Sequence, residues 1–123
     1  MMKIAEYSAA GIMLVLSTAV FADKHDEIRH LLSFVEQSGC EFERNGKVYE
    51  SEKARSHMER KYDYVDKYVD EAEDFIKYAA TESSMSGRKY QVICDGKKLA
   101  SAEWLKGELS RYRSVSHSAA VSK

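Results

Sequence analysis

His57, Lys61 and Tyr64 follow one another at helical spacing, which sets the three side chains in one strip along a helix. A histidine beside a tyrosine offers acid–base chemistry, and Ser84 offers a hydroxyl nucleophile. Together they outline a small hydrolase built on His57. The chain carries no GxSxG, HExxH or CxxC motif and no Gly-rich phosphate loop. The same strip is equally explained as a polar seam, half-buried, whose tips reach a sheet or solvent. His25 and His30 flank acids in HDEIRH, but residues five apart on a helix diverge by about 140°, which suits surface histidines better than one metal. Asp63, Asp66, Asp70, Glu71, Glu73 and Asp74 crowd together without the DxDxDG-like run of a calcium loop, and read as a solvated helix face. No metal site and no cofactor site is expected.

Charge and composition narrow the classes. Nineteen basic and twenty acidic residues leave a formal charge of −1, which excludes the basic footprint of a dedicated nucleic-acid binder. Hydrophobic residues make up 44% and charged residues 32%, which excludes a disordered polyelectrolyte. There is no proline. Eight tyrosines are a large share for 123 residues, and tyrosine serves both core rims and binding surfaces.

Residues 9–22, AAGIMLVLSTAVFA, carry no charge and end in small residues. Such a stretch spans about 21 Å as a helix, too short for a hydrocarbon core of about 30 Å. With Lys3 ahead of it and Val20-Phe21-Ala22 at its end, it is expected to be a signal peptide cleaved after Ala22. Export to the periplasm follows, with no stable membrane insertion after cleavage. In that oxidising compartment Cys40 and Cys94 are expected to pair. Closing a loop of 54 residues is worth about 4 kcal/mol in chain-entropy terms.

The elements that must position the chemistry are then read from pattern. Ile28, Leu31, Leu32 and Val35 define a helix over 24–38, capped by Asp23 or Asp26 and ended by Gly39. Asn45-Gly46 predicts a two-residue hairpin with Phe42 opposite Tyr49. Ser51 is the expected N-cap of one long helix over 51–82. Its stripe is Ala54, Met58, Tyr62, Val65, Val69, Ala72, Ile76 and Ala79, with Tyr64, Tyr68, Phe75 and Tyr78 beside it. Unbroken, it would run about 46 Å, long enough to favour a bend. Residues 89–94 predict one later strand, Asp95-Gly96 a turn, and 102–113 a last helix with Trp104, Leu105 and Leu109. The expected fold is α+β: three helices, one long, packed on a small antiparallel sheet made of the hairpin and the later strand. One domain is expected over 23–113, with a disordered tail over 114–123.

The runs FERNGKVYESEKARSHMERK and AEDFIKYAATESSMSGRKYQV, with a late Trp-Leu, resemble the YfeK-like family of small exported bacterial proteins. The residues that carry the resemblance are Phe42, Asn45, Gly46, Ala54, His57, Lys61, Phe75, Ile76, Ser83, Ser84, Gly87 and Tyr90. It implies a periplasmic location and supplies no activity. Several of these residues are polar or small where packing alone would not require it. Ser84 and Gly87 suit a tight turn with free backbone N–H groups for an anion or a peptide carboxylate, or serines that simply cap the preceding helix.

The leading expectation is a non-enzymatic periplasmic binding or accessory protein. It would meet a protein or peptide partner in the envelope through His57, Lys61, Tyr64, Ser84, Gly87 and Tyr90. The alternatives are an inhibitor or immunity protein against an envelope enzyme or toxin, and the small hydrolase using His57.

Overall fold

The computed structural model describes residues 23–121; the expected signal peptide over 1–22 lies outside the described residues. Helix α1, Lys24–Gln37, begins where the Asp23 carboxylate accepts from the Asp26 N–H at 2.9 Å. It ends before Gly39, whose φ of +69° suits a residue without a side chain. Ile28, Leu31, Leu32 and Val35 are all buried, as their spacing predicts.

Strands β1, Glu41–Arg44, and β2, Lys47–Glu50, form the Asn45-Gly46 hairpin, with Phe42 opposite Tyr49. Asn45 and Gly46 both take positive φ, the condition of a type I′ turn. Asp95 and Gly96 repeat it between β3, Gln91–Cys94, and a strand the sequence reading omits, β4, Lys97–Ala100. KKLA lacks the β-branched residues that advertise a strand; the turn and the pairing with β3 make it one. The sheet is antiparallel throughout, in the order β2-β1-β3-β4. Phe42 pairs with Val92 across β1 and β3, so Cys40 and Cys94 share their face, and the two cysteines are joined in a disulfide with 4.8 Å between Cα atoms.

The expected long helix is two helices. Helix α2, Ser51–Val65, passes through a 3₁₀ turn, Asp66–Tyr68, and α3 starts afresh at Ala72–Ala79. The restart has a local cause: Asp74 accepts the backbone N–H groups of Asp70 and Glu71, in a capping box with the Glu71 side chain. The Lys24 ammonium donates to the Val69 carbonyl at 2.7 Å within the connection. The break lets Val69, Ala72, Ile76 and Ala79 face one core instead of running past it. Four helices therefore replace the expected three. The N-cap of α2 is Glu50; Ser51 is its first residue and donates to the Glu36 carbonyl at 2.9 Å.

Helix α4, Ser101–Val121, extends past the residue 113 at which the pattern suggests an end. Leu105 and Leu109 enter the core. Trp104 packs on Phe34 and edge-on to Phe42, with ring centroids 4.5 and 5.5 Å away. Arg113 pairs with Glu27 of α1 and Glu73 of α3, clamping three helices together. The helices lie on the Phe42–Val92 face of the sheet; the other face carries Glu43, Val48, Ile93 and Lys98 outward. Among the described residues no helix is long and apolar enough to cross a membrane.

Candidate functional site

The segment between α3 and β3 delivers Tyr90 to the middle of α2. An isolated bridge between Glu82 and Lys89 narrows this segment, and the Tyr90 N–H donates to the Thr81 carbonyl at 3.0 Å. Tyr90 is 5% exposed. Its hydroxyl lies 3.1 Å from Nε2 of His57 and 3.1 Å from Nζ of Lys61. Lys61 also donates to the Glu82 carbonyl at 2.9 Å and sits over the Tyr90 ring. Lysine only donates, so the Tyr90 oxygen accepts from Lys61, while the bond between the Tyr90 hydroxyl and Nε2 of His57 takes its direction from the His57 tautomer.

The electrostatics favour that arrangement. Burial, then Arg44, Lys61 and Arg60, push His57 down from 6.5 to about 4, so the ring is uncharged at neutral pH. Burial and Arg44 also lower Lys61 against the opposing pull of Glu82. Burial raises the Tyr90 hydroxyl, opposed by Arg44. At neutral pH His57 is therefore an uncharged ring nitrogen held against the Tyr90 hydroxyl.

His57 and Tyr90 form one wall of a cavity of ≈ 390 Å³ between α2 and the first hairpin. Phe42 and Met58 make its floor. Arg44 reaches in from β1, stacks on the Tyr49 ring at 5.0 Å and donates to the Tyr49 hydroxyl at 3.3 Å. The hairpin is fastened to the α3–β3 segment by Asn45, which donates to Ser83 Oγ at 3.2 Å and accepts from Ser86 Oγ at 2.6 Å.

Of the six residues expected to form the surface, His57, Lys61 and Tyr90 come together. Tyr64 does not: it is 84% exposed, one turn beyond the point where Tyr90 meets the helix. Ser84 and Gly87 lie on the exposed turn, and no hydrogen bond joins Ser84 to His57. The turn is not an open ring of N–H donors either. Gly87 N–H donates to the Ser83 carbonyl at 2.8 Å, and the amides of Ser86 and Arg88 are taken by Ser83 Oγ and Ser86 Oγ. Gly87, at φ +74°, serves the turn itself.

Sequence reasoning missed Arg44, Tyr49, Lys53 and Arg60, all of which line the cavity. A signal existed for two of them: Lys53 and Arg60 stand four before and three after His57 on the helix. Arg44 shares the inward parity of Phe42 on β1. Among the described residues no group of three or more His, Cys, Asp or Glu side chains is placed to hold a metal ion.

Comparison with known proteins agrees with the resemblance seen in the sequence. The family described as "Family of unknown function (DUF5329)" matches residues 22–113. "Uncharacterized protein YfeK" of Salmonella typhimurium is 30% identical over 86 residues, covering 68% of this chain and 72% of that protein. No solved structure matches.

Proposed function

The chain belongs to the DUF5329 family of unknown function, and from that premise we propose that it is a non-enzymatic binding or accessory protein of the periplasm. It takes a protein or peptide partner into the cavity between α2 and the first hairpin. The observation that carries this reading is the interlocked trio of His57, Lys61 and Tyr90 at a cavity wall. Its donors and acceptors satisfy one another, its histidine is neutral, and no serine, threonine or cysteine side chain is bonded to it. Such a group orients a ligand; it does not cycle a proton. The Cys40–Cys94 disulfide supports export, since such bonds persist in oxidising compartments. The cavity volume falls within the range of small-ligand pockets, which suits one or two residues of a peptide.

Capture from envelope extracts tests this. Ser56 lines the cavity from the exposed side of α2, so Ser56→Trp plugs it without entering the core. A specific partner held by the native protein should be lost with Ser56→Trp and with His57→Ala, and kept with the exposed control Tyr64→Ala. Capture that survives both cavity variants contradicts the reading.

A further inference from the structure

We infer that the cavity recognises a carboxylate carried on an apolar body, such as the free C-terminus of a peptide ending in a hydrophobic residue. This rests on the binding role proposed above and names the chemistry of what is bound.

The charge distribution points there. Arg44, Lys53 and Arg60 line the cavity, and Lys61 stands behind His57. Among the described residues none of these four pairs with a carboxylate; Lys24, Lys47, Lys67, Lys77, Arg88 and Lys97 are unpaired too, but none of those lines this cavity. The one acid that borders the cavity, Glu43, belongs by strand parity to the opposite face of the sheet, where Lys98 holds its carboxylate at 2.8 Å. A chain of formal charge −1 thus gathers uncompensated cations around one concavity. That arrangement draws anions in and holds them where solvent is partly excluded.

The geometry supplies more than charge. Stacking on Tyr49 and one hydrogen bond fix the Arg44 guanidinium, leaving its other N–H groups for a two-point grip on a carboxylate. Phe42, Ala54 and Met58 offer apolar contact next to it. Burial first, and then Arg44, Lys61 and Arg60 around the cavity, hold His57 neutral, so an arriving anion cancels the cations' share of that field and favours a proton on the ring.

Three probes separate the sources of the carboxylate: N-acetyl-glycyl-phenylalanine with a free C-terminus, its C-terminal amide, and 3-phenylpropionate. Binding is read by calorimetry on the full disulfide-bonded protein, and by the His57 ring resonances through a pH titration. The free-acid peptide should bind about tenfold or more tightly than the amide. It should weaken on adding salt, and should raise the His57 midpoint above about 4 while the amide leaves it in place. Equal binding of 3-phenylpropionate assigns the site to small amphiphilic acids; preference for the peptide assigns it to a C-terminus. Arg60 is exposed, so Arg60→Gln leaves the fold intact and should bring acid binding towards that of the amide. Equal affinity for acid and amide overturns the inference. So does failure of all three probes while partner capture remains sensitive to Ser56→Trp, a result that leaves the binding role standing. Loss of that Ser56→Trp sensitivity removes the binding role itself.

Discussion

Nε2 of His57 lies 3.1 Å from the Tyr90 hydroxyl, a contact that joins the middle of α2 to the foot of β3 across 33 residues. Removing the hydroxyl with Tyr90→Phe leaves the half-buried Nε2 of His57 without its partner and Lys61 with the Glu82 carbonyl alone. The expected cost is about 1–2 kcal/mol, seen as a lower urea midpoint with unchanged slope. An unchanged midpoint would mean that water replaces the hydroxyl at no cost.

The same histidine gives stability a pH dependence. Its folded value is about 4 against an ordinary 6.5, so between these limits the unfolded chain binds a proton that the folded protein does not. The contribution is complete above pH 6.5, declines as pH falls through the window and is lost below about pH 4. Allowing for partial solvent screening, it amounts to about 2 kcal/mol. Glu43, Glu73 and Glu108 titrate below their ordinary 4.5, so their losses come at lower pH. Unfolding titrations at several pH values should show a slope above pH 4.5 that His57→Gln flattens. An equal slope in that variant would place the proton elsewhere.

Reduction of the disulfide tests the joint between the two hairpins. Cys40 and Cys94 face each other across β1 and β3, closing a loop of 54 residues. Cys40→Ala with Cys94→Ala should lower stability by about 2–4 kcal/mol without changing helix content in the native state. A drop below about 1 kcal/mol would show that the sheet and Trp104 hold that edge unaided.

The restart of α3 depends on Asp74, whose carboxylate holds two amides at 2.9 and 3.2 Å. Asp74→Ala should cost about 1 kcal/mol and speed hydrogen exchange at Asp70 and Glu71. Exchange unchanged at those amides would assign the break to packing of Val69 alone.

The sequence is legible where structure is local. The first helix, its aspartate cap, the Asn45-Gly46 hairpin and the disulfide pair all follow from residues near one another or from compartment. The break between α2 and α3 is hidden because Val65, Val69 and Ala72 keep helical spacing across it, and Asp70, Glu71 and Asp74 pass for a solvated face. β4 is hidden because its residues are poor strand formers. At the site, His57, Lys61 and Tyr90 stand out as polar residues that a core does not need. Tyr64 shares their periodicity, but the strand end that meets His57 does not reach so far along the helix. Arg44, Lys53 and Arg60 read as ordinary surface charge until the hairpin folds over α2 and brings them to one cavity.

The most direct test of the binding account is capture from envelope extracts by the native protein beside Ser56→Trp, each shown to be folded and oxidised. The account predicts a specific partner on the native protein and none on Ser56→Trp, with Tyr64→Ala behaving as native. The same partner retained at equal yield by Ser56→Trp would contradict it.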